Sequence, residues 1–236
     1  MTEELFRHDA YLKDCTADII DKTERGVMLS RTVFYPEGGG QPGDRGKLTL
    51  NNGTVVTITD TQKLPDGRIE HIAADASIID TIELDSSIQA VIDWPYRYRH
   101  MRMHTCLHLL CSIIPFPVTG GSLNQEKGRL DFDMTEGVDK EALSNQLNAL
   151  IERSADVHYQ WITDQEMHDN MDLVRTMSVA PPMGQGKVRL VAVEDIDLQP
   201  CGGTHIANTG EIGQVRIGKV EKKGKHNRRI NLHLLD

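Results

Sequence analysis

The sequence predicts an α+β protein with an N-terminal small β-barrel-like domain at residues 1–93 and a C-terminal α/β domain at residues 94–236. Three observations predict this arrangement. Short β-prone runs separated by turn residues fill the first 93 positions, and a helical pattern starts directly after them. The second part also carries two segments with paired metal ligands, HTCLH at 104–108 and CGGTH at 201–205, so we expect this domain to contain zinc.

The composition fits a globular protein. Of the 236 residues, 39% are hydrophobic and 26% are charged, which is enough apolar side chain for a packed core. No apolar run is long enough to span a membrane and the N-terminus lacks a signal-peptide core, so we expect a cytoplasmic protein without a membrane partner. The 4 cysteines lack CxxC spacing, which favours a metal or catalytic role over a disulfide framework. A net charge of −9 disfavours a generic nucleic-acid binder but leaves room for a local basic face.

The first domain is predicted from its strands and turns. The β-prone runs are Val27–Leu29, Val55–Ile58 and Gln89–Ile92, and the turn signals are Gly43-Asp44, Asn52-Gly53 and Pro65-Asp66-Gly67. Short strands at this spacing are typical of a small barrel or sandwich. We expect the linker to the second domain at Asp93–Pro95.

Residues 32–46 form a glycine-rich segment with five glycines and two prolines. Glycines allow the backbone to approach a ligand closely, and the candidates here are Gly38, Gly39, Gly40 and Gly43. A tight surface turn between strands explains the same composition, and both interpretations stay open on this evidence. No Gly-Lys-Ser/Thr follows, so the segment is not a phosphate loop and we expect no ATP binding.

Residues 96 to about 114 are predicted to form a helix that ends before Pro115. Its buried stripe is expected to consist of Met103, Leu107, Leu110 and Ile114. His104 and His108 lie on an adjacent face, one turn and about 6 Å apart. This spacing allows two imidazoles to converge on one ion.

Two neighbours compete with these histidines as ligands. His100 is also one turn from His104, but it lies about 12 Å from His108 along the helix axis, and one tetrahedral ion cannot easily take both. Cys111 is geometrically possible but strained. We expect Cys106 and Cys111 to be small buried hydrophobic residues, the common fate of free cysteines.

The rest of the second domain mixes strands and helices. We predict a strand at 130–133, an amphipathic helix at 139–153, strands at 157–162 and 187–193, and strands around a basic turn at 210–235. The apolar side of the amphipathic helix consists of Leu143, Leu147, Leu150 and Ile151. Thr163 or Asp164 could cap a short helix that contains Glu166.

Cys201 and His205 complete the candidate zinc site. The two glycines between them would let the backbone fold so that both side chains face one point, and His104 and His108 raise the number of ligands to four. HTCLH lacks the glutamate of the zinc-protease motif HExxH, so the usual general base is missing. A site with all four ligands bound would be structural, whereas catalysis needs one position open to water or substrate. The sequence leaves both possibilities open.

Two basic clusters flank the candidate zinc site. They consist of Arg97, Arg99 and Arg102, and of Lys219, Lys222, Lys223, Lys225, Arg228 and Arg229. Such clusters are usually solvated surface. Their position beside the metal ligands of an acidic chain favours contacts with a phosphate backbone.

Taken together, these motifs resemble the AlaX family, free-standing relatives of the editing domain of alanyl-tRNA synthetase. The resemblance covers almost the whole chain and rests on FYPEGGGQPGDRG at 34–46, Asp93-Trp94 with Arg97, HTCLHLL at 104–110, Gly121-Ser122, LDF at 130–132, QPCGGTH at 199–205 and IGKVEKKGK at 217–225. The glycine-rich segment is similar to that of the medium-length type, which has the N-terminal domain but no long C-terminal extension. The sequence has no synthetase motif, so the resemblance implies editing in trans.

The resemblance also implies a reaction and its cofactor. The reaction is hydrolysis of the ester that joins a wrong amino acid, serine or as an open question glycine, to tRNA(Ala). The implied cofactor is one Zn²⁺ per chain, held by His104, His108, Cys201 and His205.

Two further residues acquire roles from the resemblance. Thr32 and Gln41 are similar to polar residues that line the site in this family. We expect Thr32 to sense the serine hydroxyl and Gln41 to help hold substrate or water. The alternative for Thr32 is an ordinary strand threonine.

Two other functions remain possible from the sequence. One is a non-catalytic, zinc-containing tRNA-binding module, which would bind tRNA with strong salt dependence. The other is the related editing domain of threonyl-tRNA synthetase, which also uses an HxxxH and CxxxH pair and would act on Ser-tRNA(Thr). The glycine-rich segment favours the AlaX family over the editing domain of threonyl-tRNA synthetase. The oligomeric state does not follow from the sequence.

Overall fold

The computed structural model describes residues 2–177, 183 and 186–235. The chain divides into two compact units, unit 1 at residues 1–99 and unit 2 at residues 100–236. Strands dominate unit 1, and unit 2 combines helices with two sheets, so the predicted α+β class is confirmed. The assignment of separate functions to residues 1–93 and 94–236 stays a prediction. No helix within the described ranges is long and apolar enough to cross a membrane.

Unit 1 is built around a closed antiparallel barrel with the strand order β2-β3-β7-β6-β5-β8. Its strands are β1 (Glu3–Glu4), β2 (Asp14–Lys22), β3 (Gly26–Leu29), β4 (Arg31–Thr32), β5 (Gly46–Leu50), β6 (Val55–Lys63), β7 (Ile69–Ala73) and β8 (Ser87–Ile92). Strand β8 pairs with β2, which closes the barrel, and the short β1 and β4 pair in parallel. The three predicted β-prone runs fall in β3, β6 and β8.

The sequence pattern explains the barrel. In β6, Val56 and Ile58 alternate with exposed residues and point into the core. All four residues of β3 are buried. Gly53 and Gly67 have φ values of +84° and +87°, as turns between antiparallel strands require, and they lie in two of the predicted turns.

Helix α1 (Trp94–Ile113) begins two residues before the expected position. Pro95 lies in its first turn, where the missing N–H costs no hydrogen bond. The Asp93 carboxylate accepts a hydrogen bond from the backbone N–H of Tyr96 at 3.2 Å and so caps the helix. The whole predicted stripe is buried: Met103, Leu107, Leu110 and Ile114.

The described residues of unit 2 form two antiparallel sheets. The four-stranded sheet, in the order β14-β15-β10-β9, consists of β9 (Val118–Leu123), β10 (Gly128–Asp133), β14 (Val215–Lys222) and β15 (Asn227–Leu234). The three-stranded sheet consists of β11 (Val157–Thr163), β12 (Lys187–Val193) and β13 (Asp197–Pro200). A side chain at Gly128 would lie 2.7 Å from Met103 Sδ and 3.1 Å from Leu107, so this glycine lets α1 approach β10 closely.

The remaining helices are α2 (Lys140–Glu152) and α3 (Asp164–Asp169). Asp139 caps α2, whose residues Leu143, Leu147 and Ile151 are buried as predicted, while Leu150 is half-buried. Thr163, one of the two expected caps, starts α3 and forms a capping box with Glu166. Short 3₁₀ helices lie at Leu5–Arg7, Ala76–Thr81, Met171–Leu173 and Thr209–Ile212.

Candidate metal centre

Four side chains of unit 2 form a cluster that could hold a metal ion. His104 and His108 lie one turn apart on α1, and Cys201 and His205 lie in the turn that follows β13. Their ligand atoms all lie within 4.8 Å of one another, and Cys201 Sγ is 3.6 Å from His104 Nε2 and 3.4 Å from His205 Nε2. A tetrahedral ion with bonds of about 2.0 to 2.3 Å separates its ligands by about 3.5 Å. The cluster therefore matches the size and donor chemistry of a zinc site.

Two polar residues orient the imidazole rings. His205 Nδ1 lies 3.1 Å from Thr105 Oγ, and His108 Nδ1 lies 3.2 Å from Asp197 Oδ2. These contacts occupy the Nδ1 atoms and leave the Nε2 atoms for a metal, an arrangement common around metal-binding histidines. Sequence reasoning missed both residues, although Thr105 lies inside HTCLH and Asp197 shortly precedes Cys201.

The CGGTH turn is held in place by Arg189 of β12. The Arg189 carbonyl accepts a hydrogen bond from the Cys201 N–H at 3.1 Å, and its guanidinium donates to the carbonyls of Cys201 and Gly203. The guanidinium also lies over the ring of Tyr159, 4.3 Å from the centroid. A buried cation thus holds the turn that carries Cys201 and His205.

The electrostatics of the cluster favour a bound cation. Burial alone would raise the pKa of the Cys201 thiol, but His104 and His205 outweigh this effect and hold the pKa well below its ordinary value. Burial lowers the pKa of His108, whereas Asp197 and Cys201 raise it to about 9. Thiolate is the form of cysteine that binds metal, so Cys201 is prepared as a ligand, and a metal would displace the proton from His108.

Replacing Asp197 by asparagine is expected to raise the dissociation constant for the metal about 10- to 100-fold, because the neutral amide orients His108 without supplying negative charge. Competition with a chromogenic chelator measures the change. Asp195→Asn is the matched control, since Asp195 is exposed and pairs with Arg153. Equal dissociation constants for the Asp197 and Asp195 variants would contradict the role of Asp197.

The competing ligands lie outside the cluster. Cys106 and Cys111 are buried, as predicted for small hydrophobic residues. Burial raises the pKa of Cys106 above its ordinary value and that of Cys111 to about 12, so neither is prepared to bind metal. His100 is buried on α1 and does not belong to the cluster.

The glycine-rich segment belongs to unit 1 and is an ordered loop. The backbones of Gly38 and Gln41 form a β-bridge around Gly39 and Gly40, which both have positive φ values. A side chain at Gly43 would lie 2.1 Å from the carbonyl oxygen of Thr61, so this position excludes any other residue.

Thr32 and Gln41, the two predicted recognition residues, are both fully buried in unit 1. The Thr32 hydroxyl lies 2.8 Å from His71 Nε2 and accepts a hydrogen bond from the Phe34 N–H at 3.0 Å. A substrate therefore reaches Thr32 only if the side chains around it move. The recognition roles of Thr32 and Gln41 stay predictions.

The phosphate contact expected of Arg97 is wrong. Its guanidinium is fully buried and pairs with both carboxylate oxygens of Asp44, and it also donates to the carbonyls of Ala10 and Val33. A buried charge with this many partners cannot also reach a solvent-exposed phosphate. Instead, Arg97 ties the end of the glycine-rich segment to the start of α1 within unit 1.

The second basic cluster is only partly available for phosphate. Lys219, Lys222, Lys223 and Lys225 are exposed around the β14–β15 turn. Arg228 is buried and donates to backbone carbonyls, so its predicted phosphate contact is also wrong.

Three arginines of the two clusters are half-buried. Arg229 forms two 2.8 Å hydrogen bonds with Asp131, and Arg102 donates to the carbonyl of Ile212. Arg99 is also half-buried. Their contacts with tRNA stay predictions.

Comparison with known proteins indicates the family of this chain. Residues 188–231, which include Cys201 and His205, match the threonyl and alanyl tRNA synthetase second additional domain, and residues 7–96 match the class II (A) tRNA synthetases. The chain is 35% identical to the alanyl-tRNA editing protein AlaX-M of Methanosarcina acetivorans, over the full length of both proteins. It is 29% identical to AlaX-M of Pyrococcus horikoshii, over 99% of this chain and 98% of that protein.

A longer relative places the same region inside a synthetase. The chain is 31% identical to the alanine–tRNA ligase of Sulfurisphaera tokodaii, over 94% of this chain but 25% of the ligase. The full-length similarity is instead to the free-standing proteins. The chain therefore belongs to the AlaX family of alanyl-tRNA editing proteins, and to its medium-length type.

Proposed function

We propose that this protein is a trans-editing hydrolase that deacylates mischarged Ser-tRNA(Ala) with the help of one zinc ion. The observation that carries the proposal is the cluster of His104, His108, Cys201 and His205, whose spacing and donor set fit zinc. Membership of the AlaX family indicates the class of substrate, which is an amino acid esterified to tRNA. An enzyme that acts on tRNA is expected in the cytoplasm.

The chemistry requires little beyond the metal, because an aminoacyl ester is already reactive. Bound zinc can polarise a carbonyl and lower the pKa of a water molecule to about 7. Among the four ligands, Cys201 is half-buried while the three histidines are buried, so we infer that substrate approaches on the cysteine side. Thr105 and Asp197 keep the imidazoles of His205 and His108 in place during the reaction.

Selectivity cannot depend on size, because alanine is smaller than serine. A site that hydrogen-bonds the serine hydroxyl can discriminate, since alanine cannot form that hydrogen bond. Sites of this kind reach selectivities of about 10^4. We propose that Thr32 supplies this group and that Gln41 helps to hold substrate or water. This logic favours serine and gives no reason for glycine editing.

Replacing Thr32 by valine should lower the rate of Ser-tRNA(Ala) deacylation about 10- to 100-fold and leave the slow attack on Ala-tRNA(Ala) unchanged, because only the contact with the serine hydroxyl is lost. The ratio of kcat/KM for the two substrates measures the effect. Thr16→Val is the matched control, since Thr16 is exposed on β2 and contacts Gln89. An unchanged ratio in Thr32→Val would remove Thr32 from serine recognition.

The exposed lysines around the β14–β15 turn are the proposed contacts with the tRNA backbone. Lys219 and Lys223 share Glu221 as an ion-pair partner, at 3.4 and 3.5 Å. Lys222, the last residue of β14, and Lys225, in the following turn, are also exposed. Contacts with phosphates would make tRNA binding fall steeply with salt concentration.

A deacylation assay on Ser-, Gly- and Ala-tRNA(Ala) and on Ser-tRNA(Thr), with zinc-loaded protein, tests the proposal. We expect rapid release of serine from tRNA(Ala) and negligible release of alanine. Binding of tRNA without any deacylation would instead identify a non-catalytic tRNA-binding module. Faster release of serine from Ser-tRNA(Thr) than from Ser-tRNA(Ala) would identify the protein as an editing enzyme for threonine tRNA.

A further inference from the structure

Gly202 lies beside the most exposed of the four candidate metal ligands. Cys201 is half-buried, whereas the three histidines of the cluster are buried, and Gly202, the next residue along the chain, is also half-buried. A group that approaches the ligands from the Cys201 side therefore passes close to Gly202. Both residues belong to unit 2.

The fold of the chain does not require a glycine at this position. The φ angle of Gly202 lies outside the left-handed region, where glycine is favoured. Among the described residues, a Cβ atom on Gly202 would meet no heavy atom within 4 Å beyond its two chain neighbours. Gly43 and Gly128 differ, because a Cβ atom there would lie 2.1 Å from the Thr61 carbonyl oxygen and 2.7 Å from Met103 Sδ. The space in front of Gly202 is open, and it borders the metal ligands.

The hydrogen bonds of the turn leave out the backbone groups of Gly202. The Cys201 N–H donates to the Arg189 carbonyl at 3.1 Å, the Cys201 carbonyl accepts from the Arg189 guanidinium at 3.0 Å, and the Gly203 N–H lies 3.4 Å from Cys201 Sγ. Within the part of the chain that the structure describes, neither the N–H nor the carbonyl of Gly202 has a hydrogen-bond partner. The N–H and carbonyl of a trans peptide point in opposite directions, so the Gly202 N–H points away from Arg189.

We propose that the open face of Gly202 is the surface that contacts the aminoacyl ester when the ester carbonyl is brought to the metal ligands. The missing side chain lets the ester approach these ligands closely, and the unbonded N–H is a donor for an oxygen of the ester. Gly202 is thus a substrate-binding residue of unit 2. This inference rests on the editing function proposed above and adds a contact with the ester group, which every aminoacyl-tRNA carries.

The first test measures binding without hydrolysis. A tRNA(Ala) that carries serine at its 3′ end through an amide has the shape of the substrate and resists hydrolysis. We expect the zinc-loaded wild-type protein to bind this tRNA more tightly than uncharged tRNA(Ala). Gly202→Ala should reduce the ratio of the two affinities about 10-fold, because its methyl group occupies the space of the aminoacyl carbonyl. Binding of uncharged tRNA(Ala) should not change. An unaltered ratio in Gly202→Ala would overturn the inference.

Gly137→Ala is the matched control. Gly137 lies in the exposed loop between β10 and α2, its φ angle is also outside the left-handed region, and a Cβ atom there would likewise meet none of the described residues within 4 Å. Both variants should keep the metal content and melting temperature of the wild type, since the new methyl group clashes with nothing inside the chain. Loss of metal or of stability in Gly202→Ala alone would show that the turn itself requires the glycine, and this result would also overturn the inference.

Deacylation of Ser-tRNA(Ala) separates this inference from the editing function. Gly202→Ala should lower kcat/KM about 10- to 100-fold, because displacement of a reacting group by about 1 Å can cost about 100-fold in rate. Gly202→Val, with its larger side chain, should lower kcat/KM further. Wild-type rates in both Gly202 variants would refute only the role of Gly202. Absence of hydrolysis by the wild type would contradict the editing function, while the binding of the amide-linked tRNA would still report on Gly202.

Discussion

Replacing Cys201 by alanine should abolish tight metal binding and, with it, deacylation. Cys201 is the only thiolate among the four clustered ligands, and nearby histidines hold its pKa low enough for the anionic form. Zinc bound by four protein ligands gains about 10 to 16 kcal/mol, so one ligand accounts for about 3 to 4 kcal/mol, which is a 100- to 1,000-fold change in affinity. Loss of the one anionic ligand is expected to reach the upper end of this range.

Metal content per chain after dialysis against a chelator, together with serine release from Ser-tRNA(Ala), measures the effect. Cys106→Ala is the matched control, because Cys106 is a buried cysteine of α1 that lies outside the cluster. This control should retain both metal and activity. A Cys201→Ala protein that kept full activity without metal would refute the ligand assignment and the zinc-dependent reaction together.

Replacing Arg97 by alanine is expected to lower the stability of unit 1 strongly. Arg97 and Asp44 are fully buried, and the guanidinium contacts both carboxylate oxygens. Removal of one partner leaves an uncompensated buried charge, which typically costs about 3 to 5 kcal/mol. The free energy of unfolding of unit 1 should fall by this amount. Trp94 fluorescence in a Trp161→Phe background reports on unit 1, because Trp161 lies in unit 2.

Two controls distinguish this effect from the loss of an ordinary ion pair. Arg31→Ala breaks a pair with Glu3 in which both side chains are about half exposed, so we expect a change below about 1 kcal/mol. Adding Asp44→Leu to Arg97→Ala removes the unpaired carboxylate and should restore part of the lost stability. If Arg97→Ala is no more destabilising than Arg31→Ala, the buried pair does not hold the glycine-rich segment.

The elements that were predictable from the sequence have a short-range pattern. Strand β6 alternates buried and exposed residues, the stripe on α1 repeats with the helical period, and the ligand pairs are each four positions apart. Spacing of this kind depends only on local backbone geometry, which is why the fold class and the two ligand pairs could be anticipated. That the two pairs meet at one ion was implied by the resemblance to the AlaX family and not by their spacing.

Residues whose role depends on a distant partner could not be predicted. Arg97 looked like one of three similar arginines, but its partner Asp44 lies 53 positions earlier in the chain. Asp197 and His71 are single polar residues without a periodic pattern, and only the folded chain brings them to His108 and Thr32. Burial changes the role of such residues. A charged side chain that would be solvated at the surface instead pairs with a partner that is distant in the sequence.

The position of the ligands along the chain has a consequence for protein turnover. His104 and Cys201 are 97 positions apart, so an ion that binds both closes a loop of nearly a hundred residues. A cross-link over such a loop removes about 4 to 5 kcal/mol of chain entropy from the unfolded state. Unit 2 would therefore unfold more readily in metal-starved cells and become more accessible to proteases. The concentration of active protein would then follow the supply of zinc through degradation as well as through catalysis.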